Sequence, residues 1–145
     1  MLSEEDYQHL KTAGIIARRV REEVPALIRE GVDALSIAQA VEEKIIEYGG
    51  RPAFPCNICI DSVAAHFTPT PVENIIIPKG ALVKVDLGVE CDGYIADTAI
   101  TIGLPKSQVR LIEAAENALK NAIKTIRAGV RASEIGAVIN DTISR

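Results

Sequence analysis

The chain has 145 residues, with 16 Lys and Arg against 20 Asp and Glu, a net charge of −4 and 48% hydrophobic residues. This length suits one globular domain, and the acidic balance argues against nucleic acid as a partner because no excess of cations is present to meet phosphates. No apolar run approaches the roughly 20 residues that cross a bilayer, and the acidic N-terminus does not resemble a signal peptide. Three cysteines do not form a disulfide framework. We therefore expect a soluble cytoplasmic protein with no membrane partner.

Two amphipathic helices are predicted in the first third of the chain. Ser3 and Asp6 have the spacing of a capping box, and apolar residues then recur at steps of three and four as far as Pro25, which ends or kinks the helix. This first stripe consists of Leu10, Ala13, Ala17, Val20 and Val24. A second stripe with the same period stops at Gly49-Gly50, which is typical of a helix exit. It consists of Ala34, Ile37, Ala38, Val41 and Ile45.

The middle of the chain predicts strands, and the last third returns to helices. Residues 53–63 and 74–102 are rich in Val and Ile, show no helical period and are broken by Pro, Gly and Asp, so we interpret them as strands. Helical spacing resumes in two further stripes, made of Ile112, Ala115, Leu119, Ala122 and Ile126 and then of Ile135, Val138, Ile139 and Ile143. The order of helix, helix, strands, helix, helix predicts the α+β class.

An internal similarity links the two helical regions. Residues 31–38 align with residues 129–136, and Gly, Val, Ala and Ile coincide at four of the eight positions. One interpretation is that connections between helices often use these residues. The other is an internal duplication, in which the second copy has its helices but lacks its strands.

A predicted hairpin carries the most informative side chains, Asp86 and Asp97. With a loop at Cys91-Asp92, the two aspartates lie directly opposite each other, and with a loop at Asp92-Gly93 they lie diagonally on the same face. Such a pair is repulsive unless a cation is bound, a proton is shared or water screens the charges. The apolar neighbours indicate a largely buried sheet, which favours a bound metal over solvated acids; they are Val85, Leu87, Ile95, Ala96 and Ala99.

The histidines and the CxxC sequence are further candidates for chemistry. His66 lies between a strand and a Pro-rich loop, where active-site groups are often placed, although a lone histidine is more often structural. His9 lies off the apolar stripe of the first helix and is assigned no role. Cys56 and Cys59 would point to opposite faces of a strand, and too few other ligands are present for zinc, so we predict that they fill the core.

Four motifs in order resemble the methionine aminopeptidases, specifically the type II branch. They are Ala53-Phe54-Pro55 and the sequences at residues 64–69, 85–89 and 92–99, and their spacing also matches. The resemblance runs over essentially the whole chain. It implies a pita-bread fold, which consists of two pseudo-symmetric halves sharing a curved antiparallel sheet flanked by helices. Residues 1–145 would then be the N-terminal part of one catalytic domain, with the first repeat at about 1–103 and the helices of the second at about 104–145.

The same resemblance implies a site with two divalent metal ions (Co, Mn, Fe or Zn) that removes the initiator methionine from nascent proteins. It implies that Asp86 and Asp97 are metal ligands, that His66 is a catalytic residue contacting the substrate, and that Phe54 is a wall of the methionine pocket. The family's remaining histidine and two glutamate ligands would lie beyond Arg145. The chain alone is therefore expected to be inactive, with the C-terminal half of the same enzyme as its partner.

Two alternative functions remain open. One is a non-catalytic pita-bread paralogue that binds a protein or the ribosome, although it would have no reason to retain both Asp86 and Asp97. The other is an Xaa-Pro peptidase of the same fold, whose hairpin would carry similar aspartates. The motif at residues 64–69 and the short leader before it favour the methionine aminopeptidases.

Overall fold

The computed structural model describes residues 2–104 and 109–144, and these belong to two compact units, residues 1–104 and 105–145. The first unit contains α1 (Glu4–Glu23), a 3₁₀ turn (Val24–Ala26), α2 (Ala34–Glu47), β1 (Arg51–Pro52), β2 (Asn57–Ile60), β3 (Leu82–Cys91) and β4 (Tyr94–Gly103). The second unit contains α3 (Val109–Thr125) and α4 (Ala132–Ile143). Within the described ranges, no helix combines the length and the apolar character that a bilayer crossing needs.

The first helix begins and ends where the sequence predicts. The backbone N–H of Asp6 donates to the Ser3 hydroxyl at 3.1 Å, and the Ser3 N–H donates to the Asp6 carboxylate at 2.7 Å, which completes the capping box. The helix ends at Glu23 and passes into the 3₁₀ turn that contains Pro25. One position of the predicted stripe is wrong, because Leu10 is exposed and Ile16 is buried in its place.

The sheet is antiparallel, with β3 between β4 on one side and β1 and β2 on the other. β1 pairs with the end of β3 near the hairpin turn, and β2 pairs with the first half of β3. The predicted strands were too long, since residues 61–81 contribute only a single bridge between Asp33 and Ile76. Prolines in this segment remove the N–H donors that a continuous ladder needs.

The hydrophobic core lies between the helices and one face of β3. The residues of β3 that point toward α1 and α2 are fully buried; they are Val83, Val85, Leu87 and Val89. The helices contribute Ala13, Ile16, Ala17, Val20, Ile37, Val41 and Ile45 to the same cluster. Full burial of one such aliphatic side chain contributes about 1.5–3 kcal/mol, so this layer holds the strand that carries Asp86 in place. The intervening residues of β3 point to the opposite face of the sheet.

The helix connections in the two units share one backbone conformation. Gly31 and Gly129 both have left-handed φ angles, of +83° and +82°. Two residues later, Asp33 and Arg131 are the N-caps of α2 and α4, with φ and ψ of −72° and 134° and of −81° and 140°. The agreement extends beyond residue type to the backbone conformation itself.

Candidate metal centre

The turn of the β3–β4 hairpin determines how the two aspartates face each other. Asp92 and Gly93 occupy the turn with φ of +50° and +88°, as a two-residue turn of the type I′ class requires. In the resulting register Gly88 is the partner of Asp97, and Asp86 is the partner of Ala99. Asp86 and Asp97 are therefore diagonal neighbours on the same face, and the register that places them directly opposite each other is wrong.

Both aspartates lie on the face of the sheet that points away from α1 and α2. Asp86 is half-buried, whereas Asp97 is exposed, as are Ile95 and Ala99 on the same side of β4. The expectation of a largely buried sheet is correct for the side of β3 under the helices and wrong for this side of β4. The reason is that α1 and α2 cover only one face of the sheet. We refer to the other face, defined by Asp86, Gly88 and Asp97, as the open face.

The carboxylate of Asp86 affects the titration of Asp97. The pKa of Asp97 is raised above its ordinary value, first by partial desolvation, then by the negative charge of Asp86 and by a hydrogen bond with it. Oxygen donors of this kind suit divalent cations, and a cation between them would convert their repulsion into attraction. In residues 2–104 and 109–144, however, no group of three or more His, Cys, Asp and Glu side chains could hold a metal ion. The pair therefore fits part of a metal site, and a complete site needs further ligands.

Phe54 lies beside the carboxylate pair. A Cβ atom placed on Gly88 would lie 2.3 Å from Cε1 of Phe54, so the aromatic ring covers this glycine. The backbone N–H of Ala53 also donates to the carbonyl oxygen of Gly88 at 2.9 Å. Because Gly88 pairs with Asp97 and is two residues from Asp86, the ring lies on the open face over the glycine that neighbours both aspartates in the ladder.

The loop that carries His66 is attached to β2. His66 is exposed and has a left-handed φ of +62°. The N–H of Ile58 donates to the carbonyl of Phe67 at 2.9 Å, and the hydroxyl of Thr68 donates to Oδ1 of Asn57 at 2.7 Å. These two bonds, one on each of the two residues after His66, place its loop next to the strand that pairs with the first half of β3.

Asn57 and Thr68 connect this loop to Asp86, and neither residue is among the site residues predicted from the sequence. Asn57 is the partner of Asp86 in the β2–β3 ladder, and its Nδ2 donates to Oδ2 of Asp86 at 3.3 Å. The residue is 7% exposed. Asn is depleted in strands, so an asparagine inside a run of Cys and Ile was the signal that could have identified it.

Cys56 fills the core as predicted, whereas Cys59 is buried outside the core cluster. Cys56, Cys59 and Cys91 are free thiols, and all three are buried. Cys56 belongs to the core cluster under the helices, whereas Cys59 lies outside that cluster, in agreement with diverging side chains. Burial, with the nearby charges of Glu42 and Asp86, raises the pKa of the Cys56 thiol to about 12, which makes it a poor nucleophile.

His9, to which no role was assigned, has a structural one. Its Nδ1 lies 3.0 Å from Oδ2 of Asp92, and its ring stacks on Tyr94 with a centroid distance of 5.9 Å. The Tyr94 hydroxyl donates to Asp6 at 2.5 Å. These contacts attach the N-terminal end of α1 to the hairpin turn. The turn also borders a cavity of about 550 Å³ whose lining includes His9, Arg51, Glu90 and Asp92, and neither metal-ligand candidate is among its lining residues.

Comparison with known proteins identifies the relatives of this chain. The methionine aminopeptidase of Thermococcus onnurineus is 48% identical over 139 residues, which are 96% of this chain and 47% of the relative. That of Methanothermobacter thermautotrophicus is 49% identical over 136 residues, which are 90% of this chain and 45% of the relative. The chain thus spans about half the length of the curated relatives it matches.

Solved structures share the fold. The methionine aminopeptidase of Thermotoga maritima superimposes with a TM-score of 0.90 at 22% identity, over 99% of this chain and 61% of that one. The prolidase of Pyrococcus furiosus superimposes with a TM-score of 0.87 at 24% identity, over 98% of this chain and 43% of that one. The expected pita-bread architecture of antiparallel sheet and flanking helices is confirmed. With a family match over residues 8–145, the chain belongs to metallopeptidase family M24.

Proposed function

We propose that the chain is the N-terminal part of the catalytic domain of a type II methionine aminopeptidase, which removes the initiator methionine from nascent proteins in the cytoplasm. The first repeat would span about residues 1–103, and the helices of the second about 104–145. One observation carries the proposal: Asp86 and Asp97 meet on the open face beside Phe54. They do so in a chain that is 43–49% identical to methionine aminopeptidases.

In this proposal Asp86 and Asp97 are ligands of two divalent metal ions, which are Co, Mn, Fe or Zn. Such ions supply a Lewis acid that polarises the scissile carbonyl and lowers the pKa of water at the site. The two aspartates come from adjacent paired strands, so their carboxylates are held in place by the ladder before any metal arrives. This arrangement reduces the reorganisation that binding requires. Desolvation and then the charge of Asp86 raise the pKa of Asp97, and a bound cation would offset both effects.

Phe54 and His66 are proposed to contact the substrate. The ring of Phe54 offers an apolar surface next to the carboxylate pair, where a methionine side chain can pack against it. His66 is proposed as the catalytic residue that contacts the substrate near the scissile bond. Its attachment through Phe67 and Thr68 to β2 supports a position close to the open face.

Exposed residues of the second helical unit support the existence of a partner half. Ile28 and Ile45 are 4% and 1% exposed in the first unit, whereas Ile126 and Ile143, at the equivalent positions of the repeat, are 60% and 58% exposed. Exposed aliphatic residues at positions that pack on a sheet in the first copy indicate a surface built to cover another sheet. We infer that a C-terminal half supplies this sheet and the remaining metal ligands, so that the chain alone is inactive.

The experiment measures methionine release from a Met-Ala-Ser peptide with Mn²⁺ or Co²⁺. The chain would be assayed alone and after co-expression with the C-terminal half of the Thermococcus onnurineus enzyme. We expect no release by the chain alone and release by the complemented protein. Asp97→Asn should abolish the activity, whereas Asp92→Asn, the same change at the turn of the same hairpin, should retain it.

Three results would contradict the proposal. Activity that survives Asp97→Asn would refute the assignment of this residue as a metal ligand. Cleavage of Xaa-Pro peptides in preference to Met-Ala-Ser would favour the alternative of an Xaa-Pro peptidase. A correctly assembled complemented protein with no peptidase activity would favour a non-catalytic paralogue.

A further inference from the structure

We propose that Asn57 is a positioning residue that orients the Asp86 carboxylate for metal binding and couples it, through Thr68, to the loop of His66. The inference rests on the proposed function, because it assigns a role toward the metal ligand Asp86. It adds two residues, Asn57 and Thr68, to the proposed metal ligands and substrate contacts.

The orientation of the Asn57 amide is determined by its two partners. An ionised carboxylate only accepts hydrogen bonds, so the NH₂ group must point to Oδ2 of Asp86, at 3.3 Å. The Thr68 hydroxyl donates to the amide oxygen on the other side, at 2.7 Å. Since Asn57 is 7% exposed, rotating the amide would place its oxygen against the Asp86 carboxylate with no donor between them, which is unfavourable. The Thr68 hydroxyl supports the orientation that Asp86 sets, because it donates to the amide oxygen on the other side.

This donor controls how Asp86 presents its oxygens. With Oδ2 held by Asn57, the plane of the carboxylate is set, and its remaining lone pairs can face the side of Asp97. A neutral donor suits this task, because a lysine at the same place would compete with the cation and an acid would repel the carboxylate. Ligating carboxylates are commonly held by such outer partners, whose loss weakens metal binding by about 10–100-fold.

The same residue connects the metal side of the site to the substrate side. Asn57 lies on β2, directly opposite Asp86 on β3, while Thr68 is two residues from His66. A second bond, from the N–H of Ile58 to the carbonyl of Phe67 at 2.9 Å, attaches the loop at the adjacent position. Displacing the loop would therefore release the Asn57 amide as well as moving His66.

The test is a Mn²⁺ titration of the chain assembled with the C-terminal half of the Thermococcus onnurineus enzyme, monitored by the paramagnetic broadening of the backbone amide signals of Gly88 and Asp97. We expect the midpoint to rise by about 10–100-fold in Asn57→Ala. A rise of several-fold is expected in Thr68→Val, which keeps the shape of the side chain but loses the hydroxyl. The matched control is Thr70→Val, because the Thr70 hydroxyl in the same loop donates to Glu73 at 2.7 Å and not to Asn57. Its midpoint should equal that of the wild type.

The outcomes separate this inference from the proposed function. Broadening that disappears in Asp97→Asn but has an unchanged midpoint in Asn57→Ala and Thr68→Val overturns the positioning role alone. A wild-type complemented protein that shows no broadening at millimolar Mn²⁺ overturns the metal site itself, and the positioning role with it. If Asn57→Ala does not fold, the positioning role is tested in Thr68→Val by a measurement that needs no metal. The side-chain amide protons of Asn57 should exchange with water faster in that variant than in Thr70→Val, and equal rates overturn the inference.

Discussion

Replacing Gly88 with Ala tests the packing that places an aromatic ring beside the carboxylate pair. The added Cβ would lie 2.3 Å from Cε1 and 2.7 Å from Cδ1 of Phe54, and 3.0 Å from Cβ of Ala53. Carbon atoms in favourable contact are about 3.5–4.0 Å apart, so the ring must withdraw by more than about 1 Å. The ring is half-buried and can move toward solvent, but Ala53 is held by its backbone bond to Gly88.

The expected destabilisation follows from these distances. Inserting a methyl group into a filled space costs about 1–3 kcal/mol, and the freedom of the half-buried ring places Gly88→Ala in the lower part of that range. In a Phe54→Ala background the two closest contacts disappear. The cost of Gly88→Ala should then fall close to zero, because the lower entropy of the unfolded chain contributes about 0.4–1 kcal/mol in the opposite direction. The two substitutions should therefore show a coupling energy of about 1–2 kcal/mol.

The assay is urea denaturation of the four proteins of this cycle, with the free energy of unfolding as the measured quantity. Gly14→Ala is the matched control, since a Cβ at this position of α1 meets nothing within 4 Å. Gly14→Ala should stabilise the protein by up to about 1 kcal/mol through helix propensity. If Gly88→Ala is as stable as the wild type, or its cost is the same with and without Phe54, the ring does not pack on Gly88 and the reasoning fails.

Three further predictions concern other parts of the first unit. Asp97→Asn should raise the free energy of unfolding at pH 7 by a few tenths of a kcal/mol, because it removes an exposed like-charge contact. The pKa of Asp97 is raised in the folded protein, so the gain should vanish below pH 3.8, the ordinary pKa of the group, and grow as the pH rises through the raised pKa. Urea melts at pH 7 and below pH 3.8 test this, and equal gains at the two pH values would contradict it. The Cys56 thiol, with a pKa of about 12, should resist a thiol reagent in native protein and react fully in denaturant; rapid native labelling would show that it is accessible. Ser3→Ala should cost about 0.5–2 kcal/mol in thermal or urea melts through loss of the α1 cap, and an unchanged melt would show that the cap contributes nothing.

The sequence alone determines the elements whose signal is periodic. The stripes that predict α1 and α2 follow from the 3.6-residue turn, and Ser3 and Pro25 mark where the first of them begins and ends. The placement of Asp86 and Asp97 on one face follows from the two-residue period of a hairpin for either candidate turn. These features are local, so no knowledge of the rest of the chain is needed to predict them.

The tertiary structure decides what depends on neighbours distant in sequence. The choice between facing and diagonal aspartates depends on which residues take positive φ in the turn, and Asp92-Gly93 does so. The exposure of Asp97 depends on which face of the sheet the helices cover, which the apolar residues of β4 do not reveal. Asn57 meets Asp86 only because β2 pairs with β3 in a register set between segments 29 residues apart. Local composition thus predicts that two carboxylates share a face, whereas strand pairing and helix packing decide how they face each other, what orients them and how much water reaches them.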